Sequence, residues 1–322
     1  MGISLITGNI FLHPASGVPP ESADRLRNAL SGVPEGVRWR DPSPCSDADL
    51  ARIHTPEYLR WLEVIARGER FLDVNTFISP PAYRAARCAA GSAIAAAERA
   101  LSGEVCFAMV RPPGHHAEPA RAMGFCLFNN AAVAAARALD RVDRVAILDW
   151  DLHHGNGTQA AFSRSERVLF CSIHQQNAFP GSGWVDEIGT GPGKGHTLNA
   201  PLLPGATLAD YALIFRGVFA PAISQFRPDL LIISAGQDAL RDDPQGSMLL
   251  EPGDYTELAR IARRAAGCPV ALVLEGGYGP SHGAAIGAIF RGLRGEGKPV
   301  PVPPPRPSTA EVARVLRKVG YF

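Results

Sequence analysis

Six short apolar runs punctuate the chain: ISLIT (3–7), VCFAMV (105–110), VAILD (145–149), VLFCSI (168–173), LLIIS (230–234) and VALVLE (270–275). None alternates cleanly with polar residues. A strand with one wet face shows period-two alternation, whereas a strand of a parallel sheet, buried on both faces, reads as a continuous apolar run. Ala-rich amphipathic stretches lie between them. One opens at Ser79-Pro80 and runs through AYRAARCAAGSAIAAAERAL, with Ser as N-cap and Pro at the first helical position. A second follows Asn129-Asn130 through AAVAAARAL, and a third covers 255–266. This alternation predicts an α/β fold with helices on both faces of a parallel sheet. Near the C-terminus, KPVPVPPPRP (298–307) reads as a Pro-rich extended strap, and Ser308 to Glu311 as a capping box opening a last helix, 308–319.

Chemistry collects just after the runs. RPPGHHAE follows the second and carries His115 and His116; WDLHHGNG follows VAILD and carries Asp151, His153 and His154. His174 follows VLFCSI, Asp238 in AGQDAL follows LLIIS, and Tyr278 in GGYG follows the last run. In open parallel sheets, ligands bind at the carboxyl ends of the strands. Five of the nine histidines fall between 115 and 174. Residues i and i+2 of a strand end point the same way, so Asp151 and His153 converge on one point. Asp238 would complete a donor set suited to a catalytic Zn²⁺, or Fe²⁺, with a position left for water. His115 and His116 are candidates for shared acid–base work, with Asp149 and Asn156 as the groups that orient them. Tyr278, flanked by glycines, is either a turn tyrosine or an oxyanion donor. Phe125 and Phe179 are either core residues or apolar walls of a substrate channel. His174 and His196 read as structural.

Composition narrows the function class. The chain has 322 residues, 46% apolar and 20% charged, which excludes a disordered or coiled-coil protein. This length is about twice that of a common domain. Because the chemistry from 115 to 278 converges on one site, a single domain spanning 1–322 is expected. A net charge of +1 argues against a broad basic face for nucleic acid. The six cysteines form no CxxC, and several lie in apolar runs, as buried free thiols of a reducing compartment do. No signal peptide and no membrane-spanning run is visible, so a cytoplasmic location is expected.

Together these motifs resemble the zinc-dependent histone deacetylase superfamily, which includes bacterial deacetylase-like amidohydrolases and acetylpolyamine amidohydrolases. The resemblance covers nearly the whole chain, from PESADRLRNAL (20–30) and IHTPEYLRWL (53–62) through RPPGHHAE, GFCLFNNAAVAA, ILDWDLHHGNGTQ, SIHQQNAFPGSG, GKGHTLNAPL and ISAGQDALRDDPQG to LEGGY. It implies the arginase–deacetylase fold, with a central eight-stranded parallel sheet flanked by helices. It implies Asp151, His153 and Asp238 as zinc ligands, and His116 as general base and acid. His115 is implied as its charged partner, Asp149 and Asn156 as their orienting groups, and Tyr278 as the donor to the acyl oxygen. An Asn at 156 resembles the class II and bacterial members, where class I has Asp. Gly124, Phe125 and Phe179 resemble the acyl-lysine channel, and Asp73 in FLDVNT the rim aspartate that holds the substrate backbone. A structural K⁺ or Na⁺ would match Asp149, Asp151, His153, Ser172 and Ile173, and a second monovalent ion Phe162, Ser165 and Val168.

The implied reaction is hydrolysis of an acylated amine, a peptide or small molecule, to a free amine and a short acid. Gln245 departs from both branches of the family: typical lysine deacetylases have an apolar residue there, and a polyamine deacetylase has Glu. Acyl-lysine is the leading substrate class and acetylpolyamine the runner-up. A binuclear manganese ureohydrolase and a non-catalytic acyl-ligand sensor rank below both. A homo-oligomer is compatible with the sequence.

Overall fold

The computed structural model describes residues 2–14, 17–297 and 303–319. These residues form β1 (Ile3–Ile6), β2 (Arg38–Arg40), β3 (Arg70–Phe71), β4 (Phe77–Ile78), β5 (Val105–Ala108), β6 (Val145–Asp149), β7 (Val168–Gln175), β8 (Thr197–Leu202), β9 (Leu230–Ala235) and β10 (Val270–Leu274). β3 and β4 make a small antiparallel hairpin. The other eight build one sheet in the order β2-β1-β5-β10-β9-β6-β7-β8, parallel throughout.

All six apolar runs became strands of this sheet. β9 lies near its middle, with Leu230 to Ile233 fully buried, and each such side chain contributes about 1.5–3 kcal/mol. The run at 105–110 pairs only to Ala108, after which Met109 and Val110 lead, still buried, into the RPPG turn. The two strands without an apolar run are the edges. β2 is Arg-Trp-Arg and largely exposed. β8 carries Pro201, which an edge tolerates because no second neighbour needs its missing N–H.

The three predicted helices form at Pro80–Leu101, Asn130–Ala138 and Asp254–Ala266. Ser79 Oγ accepts the Ala82 N–H (3.1 Å) and Asn129 Oδ1 that of Ala132 (3.0 Å), so both N-caps are satisfied. The buried alanine face of Pro80–Leu101 packs closely on β5, β10 and the helix Asn130–Ala138.

The last helix, Pro307–Val319, packs beside β8 and starts one residue earlier than Ser308 predicts. Ala310 N–H reaches back to the Arg306 carbonyl (3.1 Å), so Ser308 lies within the first turn rather than capping it. Asp210 decides this register, because its Oδ1 accepts both the Arg306 N–H (3.0 Å) and the Thr309 hydroxyl (2.6 Å). Of the expected strap, 298–302 lies outside the described residues. All six cysteines are unpaired and five are buried. No helix among the described residues is long and apolar enough to cross a membrane.

The sheet order carries the functional information. β5, β10, β9, β6 and β7 are consecutive neighbours, so the five strand ends that bear chemistry lie side by side.

Candidate active site

A cavity of about 100 Å³ opens over these strand ends, lined by His115, His116, Gly124, Phe125, Asp151, His153, Phe179, Asp238, Gln245 and Tyr278, together with Asn75, Pro113 and Gly276. One ligand atom from each of Asp151, His153 and Asp238 lies within 4.8 Å of the others. His153 Nδ1 is 3.2 Å from Asp151 Oδ1 and 3.0 Å from Asp238 Oδ2. Asp151 and Asp238 are fully buried, and burial with the Asp151 charge pushes the Asp238 carboxyl up. Two like charges this deep need a counter-ion. Two glycines leave room for the carboxylates to sit together: a Cβ on Gly236 would lie 2.0 Å from Asp151 Oδ2, and one on Gly276 2.4 Å from Asp238 Oδ2. Two carboxylates and an imidazole, open on one side to the cavity, fit a catalytic zinc ion.

The tandem histidines are held by unlike partners. His115 Nδ1 donates to Asp149 Oδ2 (3.0 Å). His116 Nδ1 donates to Asn156 Oδ1 (2.8 Å). Their rings lie 4.0 Å apart. Burial opposes charge on both. At His115 the carboxylates of Asp151 and Asp149 outweigh it and hold the ring well above its ordinary value. At His116 burial dominates, and His115 and His153 add to it, so that ring is held well below. One imidazolium beside one neutral imidazole is the division that acid–base chemistry uses.

Gly124 (φ +58°) lets the chain pass close under the general-base candidate, since a Cβ there would lie 2.4 Å from His116 Cδ2 and 2.9 Å from Phe179 Cε1. Phe125 follows with φ +69°, anchored by its N–H to Thr76 Oγ1 (3.1 Å). Phe179 stands edge-on to His116, with ring centroids 4.9 Å apart. Both phenylalanines line the cavity rather than the core. Tyr278 faces Phe125, centroids 5.7 Å apart, and burial raises its hydroxyl's pKa, with Arg25 opposing.

Asp73 does not line the cavity. Its Oδ1 accepts the N–H groups of Asn75 (2.9 Å) and Thr76 (2.6 Å), closing its own loop, and Asn75 reaches the cavity instead. Asp149 and Ser172 are register partners on β6 and β7, with Ile173 next along. Phe162, Ser165 and Val168 span the turn into β7, where Ser165 N–H meets the Phe162 carbonyl (2.9 Å). His174 lies outside the cavity, where its Nε2 donates to the Gly183 carbonyl (2.9 Å).

The motifs did not single out several buried charges that support the site. Glu275, pushed up to about 7 by burial, accepts the N–H groups of Gly114 (2.7 Å) and His115 (3.1 Å). Asp243 accepts those of Tyr278 (2.6 Å), Gly279 (2.9 Å) and Gln245 (2.9 Å). Arg25 binds the carbonyls of Glu275 and Gly277. Each belongs to a quoted motif, but spacing alone does not separate it from a surface charge.

Known proteins are similar to this chain over most of their length. The family described as Histone deacetylase domain matches residues 19–291. A probable deacetylase of Archaeoglobus fulgidus is 39% identical over 293 residues, covering 85% of this chain and 82% of that protein. A histone deacetylase-like amidohydrolase of Pseudomonas aeruginosa is 40% identical over 289 residues, covering 86% and 76%. The crystal structure of the HDA15 HD domain superposes with a TM-score of 0.92 at 34% identity, covering 99% of this chain and 96% of that one. The chain therefore belongs to the histone deacetylase family and has the arginase–deacetylase fold.

Proposed function

We propose that this deacetylase is a metal-dependent amide hydrolase that removes acetyl or other short acyl groups from acyl-lysine or similar acylated amines, with the chain working as one catalytic unit. The observation that carries this reading is the shared cavity, in which the Asp151–His153–Asp238 donor set lies beside His115, His116 and Tyr278. Those three residues would hold Zn²⁺, or Fe²⁺, which when bound supplies Lewis-acid polarisation of the acyl oxygen and acidifies a water. The oxygen-rich neighbourhood of Asp149 and Ser172 is where K⁺ or Na⁺ would sit, and Phe162, Ser165 and Val168 would offer a second such site.

His116, neutral and with Nδ1 committed to Asn156, has Nε2 free to take the water's proton as it attacks. The His115 imidazolium, backed by Asp149, stays charged and offsets the developing negative charge. The Tyr278 hydroxyl donates to the oxyanion, an interaction that strengthens only as charge develops. His116 then returns its proton to the leaving amine. Phe125 and Phe179 hold the aliphatic chain and exclude water.

Two observations order the rival readings. Among the described residues, the only carboxylates lining the cavity are Asp151 and Asp238, and the mouth residue Gln245 is neutral. That supports acyl-lysine over a polycationic acetylpolyamine. The described residues hold one three-donor cluster, which favours one catalytic metal over a binuclear manganese site. The test is kcat/KM on acetyl-lysine peptides against N-acetylputrescine and N-acetylspermidine, with metal content measured on the same sample. One zinc or iron per chain and a peptide preference are expected. A clear polyamine preference overturns the substrate order, and two Mn²⁺ per chain overturns the metal reading.

A further inference from the structure

Asn156 does not act on His116 alone. Its Oδ1 faces His116 Nδ1, while its Nδ2 points at three acceptors: Glu118 Oε1 (2.8 Å), the His116 carbonyl (3.4 Å) and Met123 Sδ (3.4 Å). Nitrogen and oxygen of an amide are told apart by such neighbours, and here every neighbour of Nδ2 is an acceptor. Only Glu118 is at full hydrogen-bond distance. Its backbone is pinned in turn, pairing with Arg121 in both directions and receiving His54 Nδ1 on its carbonyl (3.1 Å).

We propose that Glu118 is a positioning residue that sets the tautomer of His116 through Asn156. With Glu118 in place, the amide presents oxygen to Nδ1, so Nδ1 carries the hydrogen and Nε2 keeps its lone pair toward the cavity. Without it, the amide keeps only two long contacts and is free to flip. A flipped amide presents N–H to Nδ1, which must then be the lone-pair nitrogen; Nε2 carries the hydrogen and cannot accept one from water. The same arrangement accounts for Asn rather than Asp at 156. The carboxylate stands one amide further out, and an aspartate at 156 would face Glu118 across a hydrogen-bond distance with no proton between them.

This inference rests on His116 as the general base, so its test reads the tautomer separately from turnover. In the zinc-loaded full chain, Glu118→Ala should lower kcat by about ten- to a hundredfold with KM and melting temperature little changed. Glu118→Gln, which still offers an oxygen to Asn156, should recover most of that loss. Asn156→Asp should lose kcat alone and regain part of it when combined with Glu118→Gln. Imidazole ¹⁵N shifts of His116 should report Nδ1–H in the parent and a shift toward Nε2–H in Glu118→Ala. Unchanged kcat and unchanged ¹⁵N shifts in Glu118→Ala overturn the proposal. A shifted tautomer in a chain that hydrolyses no acyl amine upholds it and overturns only the role given to His116.

Discussion

The Arg25 guanidinium carbon lies 4.8 Å from the centroid of the Tyr278 ring. Arg25 comes from the first long helix, Ala23–Ser31, and is almost fully buried. Its Nε donates to the Gly277 carbonyl (3.0 Å) and its Nη2 to that of Glu275. Glu21 answers its charge and also takes Arg111 (2.8 Å). A guanidinium thus backs both the tyrosine ring and the backbone that carries it. Arg25→Ala should lower kcat more than it raises KM, and should cost about 2–5 kcal/mol of stability, because it takes the donor from two buried carbonyls and leaves Glu21 with Arg111 alone. Arg25→Lys should fail to restore either, since an ammonium cannot fork to two carbonyls while lying over the ring. Kinetics and urea unfolding of both variants check this; a fully active Arg25→Lys would show that charge alone suffices.

Gly236 and Gly276 set the depth of the Asp151 and Asp238 carboxylates. A Cβ at either would press on a carboxylate oxygen. Gly236→Ala should purify with much less metal than the parent, by elemental analysis, while the sheet remains folded. Chelator treatment of the parent should abolish activity and lower the melting temperature, because the ion stabilises only the folded state, and added Zn²⁺ should restore both. A chelated chain that kept its activity would remove the metal from the reaction.

His54 predicts an acid-side loss of stability. Its Nδ1 donates to the Glu118 carbonyl (3.1 Å) and its Nε2 accepts the Asn129 N–H (3.0 Å), so both nitrogens are committed in the neutral form. Burial holds its pKa down to about 4. As pH falls below the ordinary histidine value, near 6.5, the unfolded chain binds a proton that the folded chain refuses. The stabilisation is complete above that value and is lost progressively toward pH 4, by on the order of 3 kcal/mol. His54→Gln can make both hydrogen bonds without titrating, so its urea midpoint should fall less between pH 7.5 and pH 5 than the parent's. Parallel slopes would assign the acid sensitivity elsewhere.

Gln245 sits at the cavity, its N–H fixed by Asp243 (2.9 Å). Gln245→Glu would add a carboxylate where the amine-bearing end of a polyamine would lie. A partly exposed charge pair is worth about 1 kcal/mol, so kcat/KM for N-acetylspermidine should rise roughly fivefold relative to an acetyl-lysine peptide. No change in that ratio would mean that this side chain does not meet the substrate's distal end.

The sequence by itself determined the six inner strands, their parallel class and most of the side chains that line the cavity. Strands buried on both faces must be apolar throughout, and motifs such as DWDLHHGNGTQ carry their donors at fixed short spacing. It did not show the edge strands, because Arg38–Arg40 is half solvated and Thr197–Leu202 includes a proline that only an edge accepts. Tertiary structure decided which strand ends are neighbours: β9 lies between β6 and β10, which brings Asp238 to His153 across 85 residues. It also decided that Asn75 rather than Asp73 reaches the cavity, since the aspartate's Oδ1 is used closing its own loop. Glu118, Arg25, Asp243 and Glu275 were not legible for one physical reason. A charged side chain becomes structural only when distant partners satisfy it, and Arg25 meets Gly277 252 residues away.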